Sequence, residues 1–240
     1  MPDPFDAVLF DLFDTLCHLD EALYREGKRR CALRLGVDPE RYFDAWLALQ
    51  DRCQRGKVAT VEERIREVCA LLGRQVDPGT VVEVCRHEEE ALLRCASLHP
   101  DALPALRRMR SVPELKLALV SNASSPARSL PKALGLLPFF DAIIFSFEVG
   151  SVKPEPEIYL AACRSLGVTP GRCLFIGDGN GRELEGAMAL GMTAVRIERP
   201  EVMEAFRKSP SRRWHHCVRD LRRIAVLALD RQSSGGTSVS

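Results

Sequence analysis

Asp11 directly follows a short apolar run, Ala7-Val8-Leu9-Phe10, and a second carboxylate, Asp178, directly follows another, Leu174-Phe175-Ile176-Gly177. A third run, Leu117-Ala118-Leu119-Val120, ends in Ser121-Asn122, and the loop Gly150-Ser151-Val152-Lys153-Pro154 supplies a lysine. This set suits attack on phosphorus. A carboxylate such as Asp11 can act as a nucleophile and form an acyl phosphate. Nucleophile and phosphate are both anionic, so a divalent cation held by Asp11 and Asp178 would screen their repulsion. Oxygen ligands beside a phosphate favour Mg²⁺. Lys153, Ser121 and Asn122 would then hold the remaining phosphoryl oxygens, where charge collects during transfer.

These residues converge only if the chain brings the run ends together. The runs at 7–10, 117–120, 142–145, 174–177 and 194–197 read as buried strands, with helical stretches at 125–134, 156–166 and 182–190 between them. Strands alternating with helices predict an α/β fold with a doubly wound parallel sheet. Such sheets place their active sites at the carboxyl ends of the strands. Cys217-Val218 reads as a last edge strand, followed by a helix over 221–229. From about Leu19 to Leu98 the texture changes. Apolar residues recur at three and four, and breakers fall at Gly36-Val37-Asp38-Pro39, Gly56 and Asp77-Pro78-Gly79, which predicts about four helices, the last over 81–98. The expected division is a core of 1–17 and 99–230, an inserted helical bundle of 18–98 and a disordered tail of 231–240.

Composition removes other classes. With 46% apolar and 28% charged residues, the chain is not of the disordered kind. A net charge of +1 gives no footprint for nucleic acid. No apolar run is long enough to cross a bilayer, so no membrane partner is expected. The acidic start, Met1-Pro2-Asp3-Pro4-Phe5-Asp6, does not read as a secretory signal. Nine cysteines, odd in number and without a Cys-x-x-Cys pair, read as reduced and mostly buried. A cytoplasmic protein acting on a small molecule is expected.

The motifs together resemble the haloacid dehalogenase superfamily. Phe10-Asp11-Leu12-Phe13-Asp14-Thr15-Leu16 is similar to its nucleophile motif and Leu119-Val120-Ser121-Asn122 to its second. Val152-Lys153-Pro154-Glu155-Pro156-Glu157-Ile158-Tyr159 is similar to the third, and Cys173-Leu174-Phe175-Ile176-Gly177-Asp178, with Gly186-Ala187 and Gly191-Met192 after it, to the fourth. The resemblance implies a Rossmann-like core with a helical cap that closes over the site. It implies a phosphatase acting through an aspartyl-phosphate on Asp11, with Mg²⁺ held by Asp11, Asp178 and the Phe13 backbone carbonyl.

Two departures stand out. The family's phosphatases carry a second Asp two residues after the nucleophile as general acid and base; here that position is Phe13, and Asp14 stands where the family often has Gly. The fourth motif's second carboxylate is replaced by Arg182, with Glu183 next to it. Asp14 is a supporting proton donor if its loop turns it inward, and Glu183 is positioned to replace the missing carboxylate. Arg182 would pair with Asp178 and lower its affinity for a cation. Phe13 also fits a metal-independent haloacid dehalogenase, although such enzymes carry Ser-Ser-Asn-type residues where this chain has Gly177-Asp178. A non-catalytic binding protein on the same fold is the further alternative. The run Arg25, Lys28, Arg29, Arg30 reads as a solvated helix face, and Phe43 and Trp46 read as core of the insert.

Overall fold

The computed structural model describes residues 5–200, 202 and 204–224. Its strands are β1 (Ala7–Phe10), β2 (Cys17–Leu19), β3 (Ala96–Leu98), β4 (Lys116–Ser121), β5 (Ala142–Phe145), β6 (Cys173–Gly177), β7 (Thr193–Ile197) and β8 (His216–Val218). Six form one parallel sheet in the order β5-β4-β1-β6-β7-β8, and β2 pairs antiparallel with β3. The central strand β1 is buried throughout, as a strand covered on both faces must be. Phe10 pairs with Leu119 on one side and Ile176 on the other. One residue further, Asp11 therefore stands level with Val120 and Gly177. Ser121 and Asp178 come next at the same edge of the sheet.

Helices cover both faces. On one, Ala102, Ala105, Leu106 and Met109 of α6 (Ala102–Arg110) pack on Val8, Phe10, Leu117 and Leu119. On the other, Ile158, Tyr159 and Ala162 of α9 (Pro156–Leu166) and Leu184 and Ala187 of α10 (Glu183–Ala189) pack on Ala7, Leu9, Ala118 and Phe175. The helix expected over 125–134 is broken. A 3₁₀ turn, Ser125–Ser129, precedes the short α7 (Leu130–Ala133), because Pro126 and Pro131 each remove a backbone donor. A further short helix, α8 (Ser146–Val149), follows β5.

Between β2 and β3 lie α1 (Glu21–Leu35), α2 (Pro39–Ala48), α3 (Gln50–Gln54), α4 (Val61–Leu71) and α5 (Pro78–Cys95). Each long helix carries its own start signal: the Asp20, Asp38 and Asp77 side chains accept from Leu23, Arg41 and Thr80 N–H, and Thr60 with Glu63 forms a capping box. Each such cap contributes roughly 1 kcal/mol. Ala32, Leu35, Tyr42, Trp46, Ile65, Val68, Val81 and Val84 form a separate core within this insert. Five helices stand where about four are expected, the extra one being α3. The last helix ends at Cys95, and Ala96–Leu98 pair with Cys17–Leu19 as a two-stranded ribbon joining insert and sheet. That pairing spans about eighty residues of sequence, so no local signal announces it.

Seven of the nine cysteines are buried and all nine are free. Among the described residues no helix is long and apolar enough to cross a membrane. The expected tail of 231–240 and the end of the helix expected over 221–229 lie outside the described residues.

Candidate active site

Asp11 ends β1, Lys153 lies before α9, Asp178 follows β6, and Glu183 opens α10. All four line one cavity of about 140 Å³ between the sheet edge and the insert. Each is at most 5% exposed. Lys153 Nζ donates to Asp11 Oδ1 and, at 2.6 Å, to Glu183 Oε2. Ligand oxygens of Asp11, Asp178 and Glu183 lie within 4.8 Å of one another.

Glu183 reaches this cluster because of the turn before it. Gly181 and Arg182 both take left-handed backbone, with φ of 61° and 60°. That rotation leaves Arg182 exposed and turns Glu183 inward. Its Oε1 accepts from Gly179 N–H at 3.0 Å, and a Cβ on Gly177 would sit 2.0 Å from the same oxygen. A side chain at 177 would displace this carboxylate from the cluster. The carboxylate absent from position 182 is thus supplied one residue later.

Arg182 does not pair with Asp178 as expected. Arg207 does: its guanidinium donates to Asp178 Oδ2 at 2.8 Å, while Asp178 Oδ1 accepts from Asn180 N–H at 3.0 Å. The segment carrying Arg207 is held by Asn180, whose side chain donates to Phe206 O at 3.2 Å and accepts from Lys208 N–H at 2.7 Å. Phe206 meets Tyr24 of the insert edge-on, ring centroids 5.4 Å apart. Nothing in the local sequence marks Arg207 as a site residue.

Three carboxylates thus share two cations. Burial pushes the Asp11 carboxyl above its usual range; Lys153 pulls it down and Asp178 raises it again. Glu183 is pushed up in the same way, by burial first, against Lys153, with Asp11 and Asp178 adding to the rise. The Lys153 ammonium is raised, because Asp11 and Glu183 outweigh its desolvation. The cluster is one positive charge short, and its donors are hard oxygens. That donor set fits a divalent cation such as Mg²⁺.

Asn122 lines the same cavity. Its Oδ1 accepts from Lys153 N–H at 2.7 Å and its Nδ2 donates to Lys153 O at 3.1 Å. The amide brackets the lysine backbone and aims its side chain. Ser121 is fully buried, and its hydroxyl has no partner among the described residues. Such a donor is costly to leave unpaired, and it fits a group that brings an oxygen. Phe13 and Asp14 both line the cavity. Asp14 takes φ of 54°, the conformation that explains a glycine-like position here, and Asp tolerates it better than most residues. Phe13 packs against both the sheet core and the cluster of Leu19, Tyr24, Phe43 and Cys95 at the junction with the insert.

The insert also meets the sheet domain beside the cavity at Gln54, Arg55 and Gly56. Gln54 Nε2 donates to Asn122 O at 3.3 Å, Arg55 pairs with Glu155 at 2.8 Å, and Gly56 passes so close to Phe147 that a Cβ would lie 2.3 Å from its carbonyl. Arg25, Arg29 and Arg30 are surface residues paired with Glu21 and Glu26, as expected of a solvated face. Lys28 is not: it is buried, faces the cavity and pairs with Glu88. Trp46 is buried in the insert core but also lines the cavity.

A sequence profile described as haloacid dehalogenase-like hydrolase matches residues 5–191. A glyceraldehyde 3-phosphate phosphatase of Methanopyrus kandleri is 28% identical over 200 residues, covering 80% of this chain and 84% of that protein. A Mycobacterium tuberculosis protein named as a phosphatase is 32% identical over 201 residues, covering 80% and 87%. The crystal structure of a haloacid dehalogenase-type phosphatase from Thermococcus onnurineus superposes with a TM-score of 0.60 at 26% identity, over 98% of this chain and 100% of that one. A 2-haloacid dehalogenase from Pseudomonas syringae shares the fold, with a TM-score of 0.70 at 22% identity, over 95% and 99%. With this profile matched across its sheet and insert, the chain belongs to the haloacid dehalogenase-like hydrolases.

Proposed function

We propose that this hydrolase is an Mg²⁺-dependent phosphatase of the cytoplasm that removes phosphate from a small metabolite through an aspartyl-phosphate on Asp11. The convergence of Asp11, Lys153, Asp178 and Glu183 on one cavity carries the reading. Phosphatase relatives, two of them named for glyceraldehyde 3-phosphate, support the substrate class. In the proposed first step an Asp11 carboxylate oxygen bonds to phosphorus as the ester P–O bond breaks. Water then attacks the acyl phosphate and releases inorganic phosphate. Lys153 holds Asp11 in place and meets the phosphoryl oxygens, and the unpartnered Ser121 hydroxyl takes another. Asp11, Asp178 and the Phe13 carbonyl would hold Mg²⁺, with Glu183 supporting them. When bound, the ion screens the repulsion between nucleophile and phosphate. The insert, residues 18–98, serves as the cap of a core made of 1–17 and 99–230.

Phe13 has no proton to donate, so the leaving group departs unassisted unless Asp14 supplies one. Loss of a general acid costs roughly 10²- to 10⁴-fold, so esters with good leaving groups are favoured. Turnover of an aryl phosphate with and without Mg²⁺, in the unmodified chain and in Asp11→Asn, tests the proposal. Asp11→Asn abolishes turnover; retained turnover overturns the mechanism.

One observation favours a second reading. Arg207 already neutralises Asp178, and with Phe13 beside the nucleophile this suits a metal-independent dehalogenase. Three buried carboxylates against two cations support the phosphatase. Halide release from a 2-haloacid in the presence of a chelator would decide for the dehalogenase.

A further inference from the structure

The insert side of the cavity carries charges that the phosphoryl chemistry does not use. Lys28 and Glu88 form a buried ion pair, their side chains 4% and 1% exposed, and Tyr42 O–H donates to Glu88 Oε1 at 2.8 Å. Burial pushes the Lys28 ammonium down, but Glu88 and Tyr24 push it up further, so it stays charged. Arg64 is 3% exposed. Its guanidinium and the Lys28 ammonium both lie over the Trp46 ring, 3.8 and 3.7 Å from the centroid. Arg64 donates to the Trp46 carbonyl and, at 2.8 Å, to Gln50 Oε1, while its Nε has no partner. Among the described residues it pairs with no carboxylate.

Two cations therefore face one carboxylate, and one positive charge is unmatched. A buried charge without a counter-ion is costly, and an aromatic face offsets only part of that cost. The buried guanidinium, its Nε unpaired among the described residues, borders the cavity that holds Asp11. The cavity's size, about 140 Å³, is close to the roughly 150 Å³ that takes a benzene-sized ligand. It admits a phosphate on a short carbon chain. A second phosphate would bring a charge of about −2, more than the single excess positive charge. A carboxylate brings one, and its planar oxygens match a guanidinium.

Resting on the phosphatase reading, we infer that the substrate is a short-chain phosphate monoester bearing a carboxylate, which Arg64 receives at the insert end of the cavity with Lys28 adding its charge. A neutral ester of equal size leaves Arg64 unmatched.

Steady-state kinetics of the full chain with Mg²⁺ tests this on phosphoglycerate, glycerol phosphate and glyceraldehyde 3-phosphate, with an aryl phosphate alongside. The expected kcat/KM favours the carboxylate ester by about 10- to 100-fold, the size of a charge-assisted hydrogen bond. Arg64→Gln brings that ratio near one, and Arg64→Lys keeps part of it. Aryl phosphate turnover with equal kcat/KM on the three esters, or preference for the aldehyde, overturns the inference and leaves the phosphatase reading standing. No turnover of any ester, the aryl phosphate included, removes both. The ratio in the unmodified chain decides even if Arg64→Gln fails to fold.

Discussion

Glu183→Gln separates the proposed metal site from the fold. The site holds three buried carboxylates against Lys153 and Arg207, and burial disfavours the charged form of Glu183. A neutral amide of the same shape removes the buried negative charge and keeps one acceptor oxygen, for Lys153 or for Gly179 N–H. The metal-free variant should therefore lose less than the roughly 3–5 kcal/mol of a broken buried pair. Its response to Mg²⁺ should change more. With Mg²⁺ a hundredfold above its Kd, binding adds about 2.7 kcal/mol, which at roughly 2–4 °C per kcal/mol raises Tm by about 5–11 °C. Loss of a supporting carboxylate weakens metal affinity about 10- to 100-fold. At the same Mg²⁺ the variant then gains only about 0.4–1.4 kcal/mol, or about 1–6 °C. Thermal melts across an Mg²⁺ series read this directly. Adding Arg182→Glu should restore nothing, because residue 182 takes φ of 60° and faces solvent. An unmodified chain whose Tm ignores Mg²⁺, an equal response in Glu183→Gln, or rescue by Arg182→Glu would refute the reasoning.

Phe13→Asp should raise kcat on alkyl phosphates relative to aryl phosphates by roughly 10²-fold, the gain from a general acid; an unchanged ratio means that Asp14 or water already supplies the proton. His99, beside the ribbon, is held down to about 4 from 6.5, first by burial and then by Arg199. The unfolded chain therefore takes up a proton near 6.5 that the folded chain refuses until about 4, so His99 favours folding fully above pH 6.5 and loses that contribution as pH falls to 4. The loss is about 2–3 kcal/mol, and denaturant titrations of His99→Gln over this window should show a flatter pH dependence than the unmodified chain. Gly186→Ala puts a Cβ 2.6 Å from the Pro154 carbonyl; the strain of about 1–3 kcal/mol should lower both the denaturation midpoint and aryl phosphatase kcat, since Pro154 adjoins Lys153.

The sheet was legible because its strands are buried on both faces and read as unbroken apolar runs, and Asp11, Ser121 and Asp178 were legible because each comes at or just past the end of such a run. Lys153 could be placed only with its loop. The insert's helices announce themselves by Asp and Thr caps, but β3 does not, since among the described residues it pairs with β2 alone. Arg207 carries no local signal, and its arrival at Asp178 depends on how Asn180 ties the segment around Phe206 and Lys208.

Lys28, Arg64 and Glu88 are a different case, for they left a trace in the spacing. Tyr24, Lys28, Cys31 and Leu35 lie on one stripe of α1, Val61, Arg64, Ile65 and Val68 on one of α4, and Val81, Val84 and Glu88 on one of α5. A solvated charge belongs on the opposite face of an amphipathic helix. A charge within the apolar stripe must be paired, stacked or waiting for a ligand. Counting Lys28 with Arg25, Arg29 and Arg30 as a basic run hid that it alone faces inward. Three charged residues, one from each of three helices, interrupt their stripes and meet around Trp46. The periodicity that identifies the insert as helical therefore also marks where it stops being only a core.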